Sequence, residues 1–102
     1  MNVKHSLSSN ALYIYLYGEV DECSAVKSRV IIDGIIDDYC YVSKVVFDMK
    51  NVTFMDSTGI GMLIGRYKKI KSKNLIAYVQ NPSLSAQRIL EISGLYKIMP
   101  KI

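Results

Sequence analysis

The sequence predicts a domain of the α/β class, in which a small, mostly parallel central sheet has an N-terminal antiparallel strand and is flanked by helices. Three observations support this prediction. The segment 11–17 alternates strictly between apolar and tyrosine side chains, as a half-buried strand does. The segments 44–49 and 75–79 are short, nearly continuous apolar runs, typical of central strands. A long helical pattern separates these two runs, and a strand, helix, strand unit closes with parallel strands.

The N-terminal half is expected to contain two strands and a helix. Residues 1–7 are predicted to pair antiparallel with the strand over 11–17, because the turn-forming residues 8–10 separate them. Ser24 is expected to cap a helix whose apolar residues recur at steps of three and four. This stripe consists of Val26, Val30, Ile32, Ile35 and Ile36.

Two further helices are predicted in the C-terminal half. The first runs from about Ser57 to Lys73, and its apolar stripe is Ile60, Leu63, Ile64, Tyr67 and Ile70. Pro82 and Ser83 are expected to open the last helix, and Gly94 to end it. Its apolar residues are Leu84, Ile89, Leu90 and Ile92. The tail 95–102 is expected to pack back on the sheet, which gives the order β β α β α β α.

Length and composition indicate one domain over residues 1–102, with 50% hydrophobic and 22% charged side chains. No run approaches the ~18 apolar residues of a membrane helix, and residues 1–10 contain no apolar stretch typical of a secretory signal. We therefore expect a cytoplasmic protein without a membrane partner. One histidine and two cysteines, Cys23 and Cys40, predict no metal site and no cofactor. A helix between the cysteines would hold them about 24 Å apart, too far for a disulfide.

The net charge of +4 is unevenly distributed. Residues 1–56 have five Lys/Arg and eight Asp/Glu, a net of −3, whereas residues 57–102 have eight and one, a net of +7. The basic residues concentrate at Arg66, Lys68, Lys69, Lys71 and Lys73. Two interpretations are open, a nucleic-acid surface and a solvated helix face. We favour the solvated face and no nucleic-acid partner, because no aromatic stacking platform accompanies the lysines.

The candidate functional segment is the run 54–61, which follows the central strand and opens the long helix. Function in open α/β sheets sits at this strand edge. Ser57 and Thr58 are expected where backbone N–H groups point outward without partners and the helix dipole is positive, a place that tolerates a phosphate on Ser57. The simpler interpretation is that Asp56 or Ser57 only caps the helix.

The glycines of this helix allow two interpretations. Gly59, Gly61 and Gly65 resemble a dinucleotide fingerprint, but the third glycine comes one residue too late and no acidic residue ends the next strand. A nucleotide-binding protein is therefore kept only as an alternative of a different class. Gly61 and Gly65, four residues apart, either form a strip free of side chains for a soluble partner or pack on the protein's own sheet.

Catalysis by Ser57 would need a general base within reach. The only histidine, His5, falls on a predicted edge strand. Asp56, next to the serine, is expected to be a cap rather than a base. We therefore predict that Ser57 is a site of modification rather than a catalytic nucleophile, and that the protein is not an enzyme.

The residues 54–71 read FMDSTGIGMLIGRYKKIK. This run resembles the signature of the STAS-domain anti-sigma factor antagonists, and within that family most closely the sporulation branch that controls sigma factor F. The segments 18–21, 81–83 and 92–98 also resemble the family. The resemblance spans nearly the whole chain and implies the STAS fold.

The resemblance implies a partner-switching regulator. In this family the unphosphorylated antagonist binds an anti-sigma factor and releases the sigma factor. The anti-sigma factor is also a serine kinase that uses ATP, and a phosphatase of the PP2C type reverses the modification. Matching the motif residue by residue assigns the phosphate to Ser57 and places Asp21 near it on the partner-binding surface.

The expected partner-binding residues are therefore Asp21, Asp56, Ser57, Thr58, Gly59, Gly61 and Gly65. The free protein is expected to be a monomer. An antagonist of a general stress sigma factor of the B type is the alternative within the same fold.

Overall fold

A four-stranded sheet in the order β1-β2-β3-β4 forms the centre of the protein, which a computed structural model describes over residues 1–102. The strands are β1 (Asn2–Ser8), β2 (Ala11–Val20), β3 (Lys44–Met55) and β4 (Ile76–Gln80). β1 pairs antiparallel with β2, whereas β2, β3 and β4 are mutually parallel. The predicted sheet is confirmed, although β2 and β3 extend further toward their C-terminal ends than the sequence indicated.

Three helices connect or follow the strands. They are α1 (Glu22–Asp38), α2 (Ser57–Ser72) and α3 (Leu84–Ser93), and a short 3₁₀ turn over Leu95–Lys97 follows α3. No helix is both long and apolar enough to cross a bilayer. The predicted order of elements is confirmed.

The hairpin between β1 and β2 turns at Ser9 and Asn10, which have φ values of 50° and 64°. Positive φ at both central residues is what a two-residue hairpin turn of type I′ requires. The Asn10 carbonyl oxygen accepts hydrogen bonds from the Ser43 amide and the Ser43 hydroxyl, both at 3.0 Å. The turn is thereby tied to the start of β3.

The two faces of the sheet differ as the alternation in β2 predicts. Leu12, Ile14 and Leu16 are fully buried in the core, whereas the tyrosines between them are partly exposed on the opposite face. On that opposite face, Asp48 of β3 is buried, which the apolar pattern did not predict. Its carboxylate accepts hydrogen bonds from Gln80 Nε2 at 2.9 Å and Asn81 Nδ2 at 3.2 Å. These bonds compensate the desolvation of the charge.

The start and the buried face of α1 differ from the prediction. Asp21, not Ser24, is the N-cap, and Ser24 is the third residue of the helix. Small and branched residues form the buried face, namely Ala25, Ser28, Ile32 and Ile36. Val26 and Val30 are exposed. Consecutive residues point about 100° apart around a helix, so both valines point away from the face on which Ala25 and Ser28 pack against the core.

The caps of α3 agree with the prediction, but only part of its predicted apolar set is buried. Ser83 accepts a hydrogen bond from the Ala86 amide at 3.2 Å, and Gly94 ends the helix with a φ of 75°. Ala86 and Leu90 are buried, whereas Leu84 and Ile92 are exposed. Leu95 and Met99 of the tail are also buried and complete this part of the core.

The tail packs back on the sheet, as predicted. Lys101 forms a parallel bridge with Val79 of β4, and the Ile102 amide donates to the Val79 carbonyl at 2.9 Å. The edge of β4 is therefore covered, whereas β1 forms the open edge of the sheet.

The predicted stripe of α2 is confirmed. Ile60, Leu63 and Ile70 are buried, and Ile64 and Tyr67 pack against the core. Part of the uneven charge along the chain is neutralised by ion pairs between α1 and α2. The pairs are Arg66–Asp33 at 2.7 Å, Lys69–Asp37 at 3.0 Å and Lys73–Asp37 at 3.1 Å. Three of the five clustered cations therefore have anionic partners within the fold.

Candidate functional site

The candidate site lies at the C-terminal edge of the parallel strands. Val20 and Met55, the last residues of β2 and β3, are paired in the parallel register. The next residue of each strand is the N-cap of a helix, Asp21 for α1 and Asp56 for α2. The strand register therefore brings the two predicted acidic residues to neighbouring positions, with the start of α2 beside the start of α1.

Asp21 is held in a reciprocal cap. Its Oδ1 accepts a hydrogen bond from the Ser24 amide at 3.0 Å, and its own amide donates to Ser24 Oγ at 3.1 Å. Ser24 Oγ also lies 3.0 Å from the Glu19 carbonyl oxygen and can donate to it. This capping box satisfies two backbone donors and fixes the loop that leads into α1.

Asp56 caps α2 in a similar way. Its Oδ1 accepts from the Thr58 amide at 3.0 Å and from the Gly59 amide at 3.3 Å. The simpler interpretation of the motif, a capping aspartate, is therefore correct for Asp56. The expectation of several open amides is wrong, because Asp56 occupies two of them and leaves the Ser57 amide as the free donor of the first turn.

Ser57 and Thr58 are both exposed at the start of α2. Neither hydroxyl makes a hydrogen bond within the protein, whereas the capping hydroxyls of Ser24 and Ser83 do. The Ser57 Oγ is consequently open to a second molecule.

The three glycines have different surroundings. Gly59 is buried, and a Cβ there would lie 2.9 Å from both Val20 Cγ1 and Met55 Cγ. A Cβ at Gly61 or Gly65 would meet nothing within 4 Å. Packing on the protein's own sheet therefore explains Gly59 alone, and the open strip is formed by Gly61 and Gly65.

A shallow groove of about 370 Å³ separates the first turns of α1 and α2. Its lining residues are Glu22, Ala25, Val26, Arg29, Thr58, Gly61 and Met62. We call it the α1–α2 groove. Val26 and Arg29 were not predicted at this groove, because Val26 was placed in the apolar stripe of α1 and Arg29 matched no motif. The spacing of Glu22, Val26 and Arg29 at steps of four and three places them on one face of α1, and this spacing is the signal that could have grouped them.

The single histidine, His5, lies far from Ser57. The ring of His5 lies 5.3 Å from that of Tyr39, which follows the C-terminal end of α1. Ser57 adjoins the opposite end of this 17-residue helix, about 25 Å away by helix rise. No group of histidine, cysteine and acidic residues is arranged to hold a metal ion.

Comparison with known proteins identifies the family. The family model described as "STAS domain" matches residues 5–102. The chain belongs to the STAS-domain family. As a STAS domain of this kind, it is a regulatory binding module rather than an enzyme.

Two curated relatives and one solved protein resemble this STAS domain. The anti-sigma F factor antagonist of Paenibacillus polymyxa is 37% identical over 87% of this chain and 75% of the relative. The anti-sigma-B factor antagonist of Bacillus subtilis is 27% identical over 97% of this chain and 88% of the relative.

The solved protein is the anti-sigma factor antagonist SpoIIAA, which is 24% identical to this STAS domain in each of two forms. The unphosphorylated form has a TM-score of 0.79 and aligns with 99% of this chain and 88% of its own. The phosphorylated form has a TM-score of 0.71 and aligns with 99% and 91%. These values establish the predicted STAS fold.

Proposed function

We propose that this STAS domain is an anti-sigma factor antagonist that controls a sporulation sigma factor of the F class by partner switching. The unphosphorylated domain binds the anti-sigma factor, which then releases the sigma factor. Membership in the family and the 37% identity to an anti-sigma F factor antagonist support this role. The switch acts in the cytoplasm, where the sigma factor meets RNA polymerase.

The anti-sigma factor is proposed to act also as the kinase that ends the interaction. It transfers the γ-phosphoryl group of ATP to Ser57 Oγ, while ADP leaves and the hydroxyl proton passes to a base of the kinase. A PP2C-type phosphatase hydrolyses the phosphoserine and restores the hydroxyl. The exposed Ser57 hydroxyl, free of intramolecular hydrogen bonds at the start of α2, supports this assignment. Thr58 shares both properties, and the match of Ser57 to the family motif favours the serine.

The structure supplies a physical reason for inactivation by phosphate. Phosphorylation adds about −1.5 to −2 charges next to the Asp56 carboxylate, which already occupies the Thr58 and Gly59 amides. The phosphate therefore projects toward the partner, where repulsion and desolvation at a close-packed surface remove ~2–5 kcal/mol of binding. Because Ser57 is exposed, the fold itself tolerates the modification.

The partner-binding surface is proposed to surround Ser57 on the sheet edge. Asp21, Asp56 and Thr58 flank the serine, and Gly61 and Gly65 extend the surface along α2. Gly59 is buried beneath this surface and supports it, because the absence of a side chain lets α2 start against the end of β2.

Phosphorylation of purified protein by the F-class anti-sigma factor of the same organism and ATP tests this proposal. Intact mass and fragment spectra should find one phosphate on Ser57, absent in Ser57→Ala and retained in the matched control Thr58→Ala. Only the unphosphorylated form should then release the sigma factor from the anti-sigma factor. A phosphate elsewhere, or binding that survives stoichiometric phosphorylation of Ser57, would contradict the proposed switch.

An antagonist of a B-type stress sigma factor is the second candidate. The 27% identity to an anti-sigma-B factor antagonist over nearly the whole chain supports this candidate. Titration of the protein against both classes of anti-sigma factor separates the two, because only the cognate pair should form a tight complex. A nucleotide-binding role is less well supported, since Asp56 fills the amides that would hold a phosphate.

A further inference from the structure

We propose that the anti-sigma partner also occupies a second groove, between the end of β3 and the start of α3, and anchors there an apolar side chain next to an acidic one. This inference rests on the proposed function. The groove has a volume of about 410 Å³, and we call it the β3–α3 groove. Its lining residues are Thr53, Phe54, Met55, Leu84, Ser85 and Arg88.

The β3–α3 groove carries unusually exposed apolar side chains. Phe54 is 47% exposed and Leu84 is 88% exposed. Leu84, one of the apolar residues of α3, lies outside the buried face of this helix, which Ala86 and Leu90 form. Burying an apolar side chain of this size in a complex stabilises it by ~1.5–3 kcal/mol before the costs of ordering.

The groove is part of the same edge that carries Ser57. In the sheet order, β3 lies between β2 and β4, so the start of α2 lies between the starts of α1 and α3. Phe54 and Met55 immediately precede the N-cap Asp56. A partner centred on Ser57 therefore has the α1–α2 groove on one side and the β3–α3 groove on the other.

The walls of the groove are fixed before any partner arrives. The Ser83 amide donates to the Met49 carbonyl at 3.1 Å, and Ser83 Oγ caps the first turn of α3. The first bond holds the start of α3 against β3, and the second fixes the first turn of α3. A preformed groove lowers the conformational cost of binding.

The area that a specific complex needs favours this larger footprint. A stable interface buries ~800 Å² on each partner. Around the phosphorylation site the exposed residues Ser57, Thr58 and Gly61 are small and supply little of that area. Phe54 and Leu84 are the adjacent large side chains on the α3 side, and Phe and Arg are types that interfaces favour.

The charge of the groove defines what the partner presents. Arg88 makes no ion pair within the protein, and the nearby Glu91 carboxylate instead accepts from Gln87 Nε2 at 3.1 Å. A carboxylate of the partner placed over Arg88, beside an apolar side chain that packs on Phe54 and Leu84, matches both properties.

Two variants and one matched control test the inference. The dissociation constant is measured by calorimetry for unphosphorylated protein and the F-class anti-sigma factor. Leu84→Ala should weaken binding about tenfold, because it removes most of an apolar contact that the complex buries. Arg88→Ala should also weaken it, by a factor that shrinks at high salt. Ile92→Ala is the control, since Ile92 is 79% exposed on the same helix but outside the groove.

The possible failures are distinguishable. If wild-type protein binds while Leu84→Ala and Arg88→Ala behave like Ile92→Ala, the inference is wrong and the proposed function stands. If wild-type protein does not bind the anti-sigma factor, the proposed function fails, and the inference with it. Self-association in sedimentation experiments that Leu84→Ala abolishes would assign the groove to a second copy of this chain and overturn the inference.

Discussion

Gly59 lies so close to Val20 that a Cβ added to the glycine would stand 2.9 Å from Val20 Cγ1 and 3.0 Å from the Val20 carbonyl oxygen. Val20 ends β2, and Gly59 is the third residue of α2. The contact therefore sets the start of α2 against the end of β2, next to the strand pair Val20–Met55. The strand register places the caps Asp21 and Asp56 side by side, and this close approach docks the first turn of α2 beside them.

Replacing Gly59 with alanine should destabilise the protein. The new methyl group meets a backbone oxygen as well as two side chains, so the helix start must shift, at a cost of ~1–3 kcal/mol. Urea unfolding followed by circular dichroism measures the difference. Gly61→Ala is the control, because its methyl group has open space and alanine favours the helix by ~1 kcal/mol. Equal effects of the two substitutions would contradict the packing role of Gly59.

Gly61→Ala and Gly65→Ala should raise stability but weaken partner binding. In the free protein both methyl groups project into open space, where a closely packed partner backbone is proposed to lie. Overpacking such a contact costs ~1–3 kcal/mol of binding. Calorimetric titration with the anti-sigma factor measures it, and Lys68→Ala, an exposed residue on the same helix, serves as the control. Unchanged affinity in both glycine variants would remove the strip from the interface.

Asp33→Asn should destabilise the contact between α1 and α2. The Arg66 side chain is 12% exposed and that of Asp33 is 33% exposed. Arg66 Nε lies 2.7 Å from Asp33 Oδ1 without the alignment of a hydrogen bond, so the pair is held by charge. Neutralising Asp33 leaves a largely buried guanidinium and costs ~1–2 kcal/mol in the free energy of unfolding. Chemical denaturation of wild type and Asp33→Asn at low and high salt measures this cost. Equal stability of the two proteins would show that the pair behaves as a fully screened surface pair and would contradict the prediction.

Asp37 should make a pH-dependent contribution to stability. Hydrogen bonds from Lys69 and Lys73 lower the pKa of this carboxyl from its ordinary value of 3.8. Because the folded state binds the proton less readily, the contribution is present above the ordinary value and is lost as the pH falls through the lowered one. Wild type should be more stable than Asp37→Asn at about pH 6, and the difference should disappear at about pH 2. A difference that persists in acid would contradict the assignment.

Tyr96→Phe should not destabilise the protein. The Tyr96 hydroxyl is buried without a hydrogen-bond partner, and its removal relieves an unsatisfied polar group, with a gain of up to ~1 kcal/mol. Burial, and to a lesser extent Glu91, raises the pKa of Tyr96 above 10.0. The unfolded chain therefore loses this proton first, so wild type should lose stability relative to Tyr96→Phe as the pH rises above 10.0. A loss of stability at neutral pH would reveal a partner for the hydroxyl.

Much of the fold was predictable because its signals are local. The alternation in β2 depends only on the two-residue period of a strand, and all three of its predicted core residues are buried. The stripe of α2 and the caps Ser83 and Gly94 likewise follow from neighbouring residues. The start of α1 was misplaced because Asp21 and Ser24 are both good caps, and their reciprocal hydrogen bonds make Ser24 the third residue of the helix.

The sequence by itself determined the order of the elements, the motif around Ser57 and the family. The tertiary structure alone decided which apolar residues of the helices stay exposed, among them Val26, Val30, Leu84 and Ile92. A helix offers several faces with acceptable apolar spacing, and only the packing of neighbouring elements selects the one that is buried. The same holds for the pairing of Asp33 with Arg66 and for the grooves on either side of Ser57. These features join residues distant in sequence, whose proximity depends on strand register and helix docking.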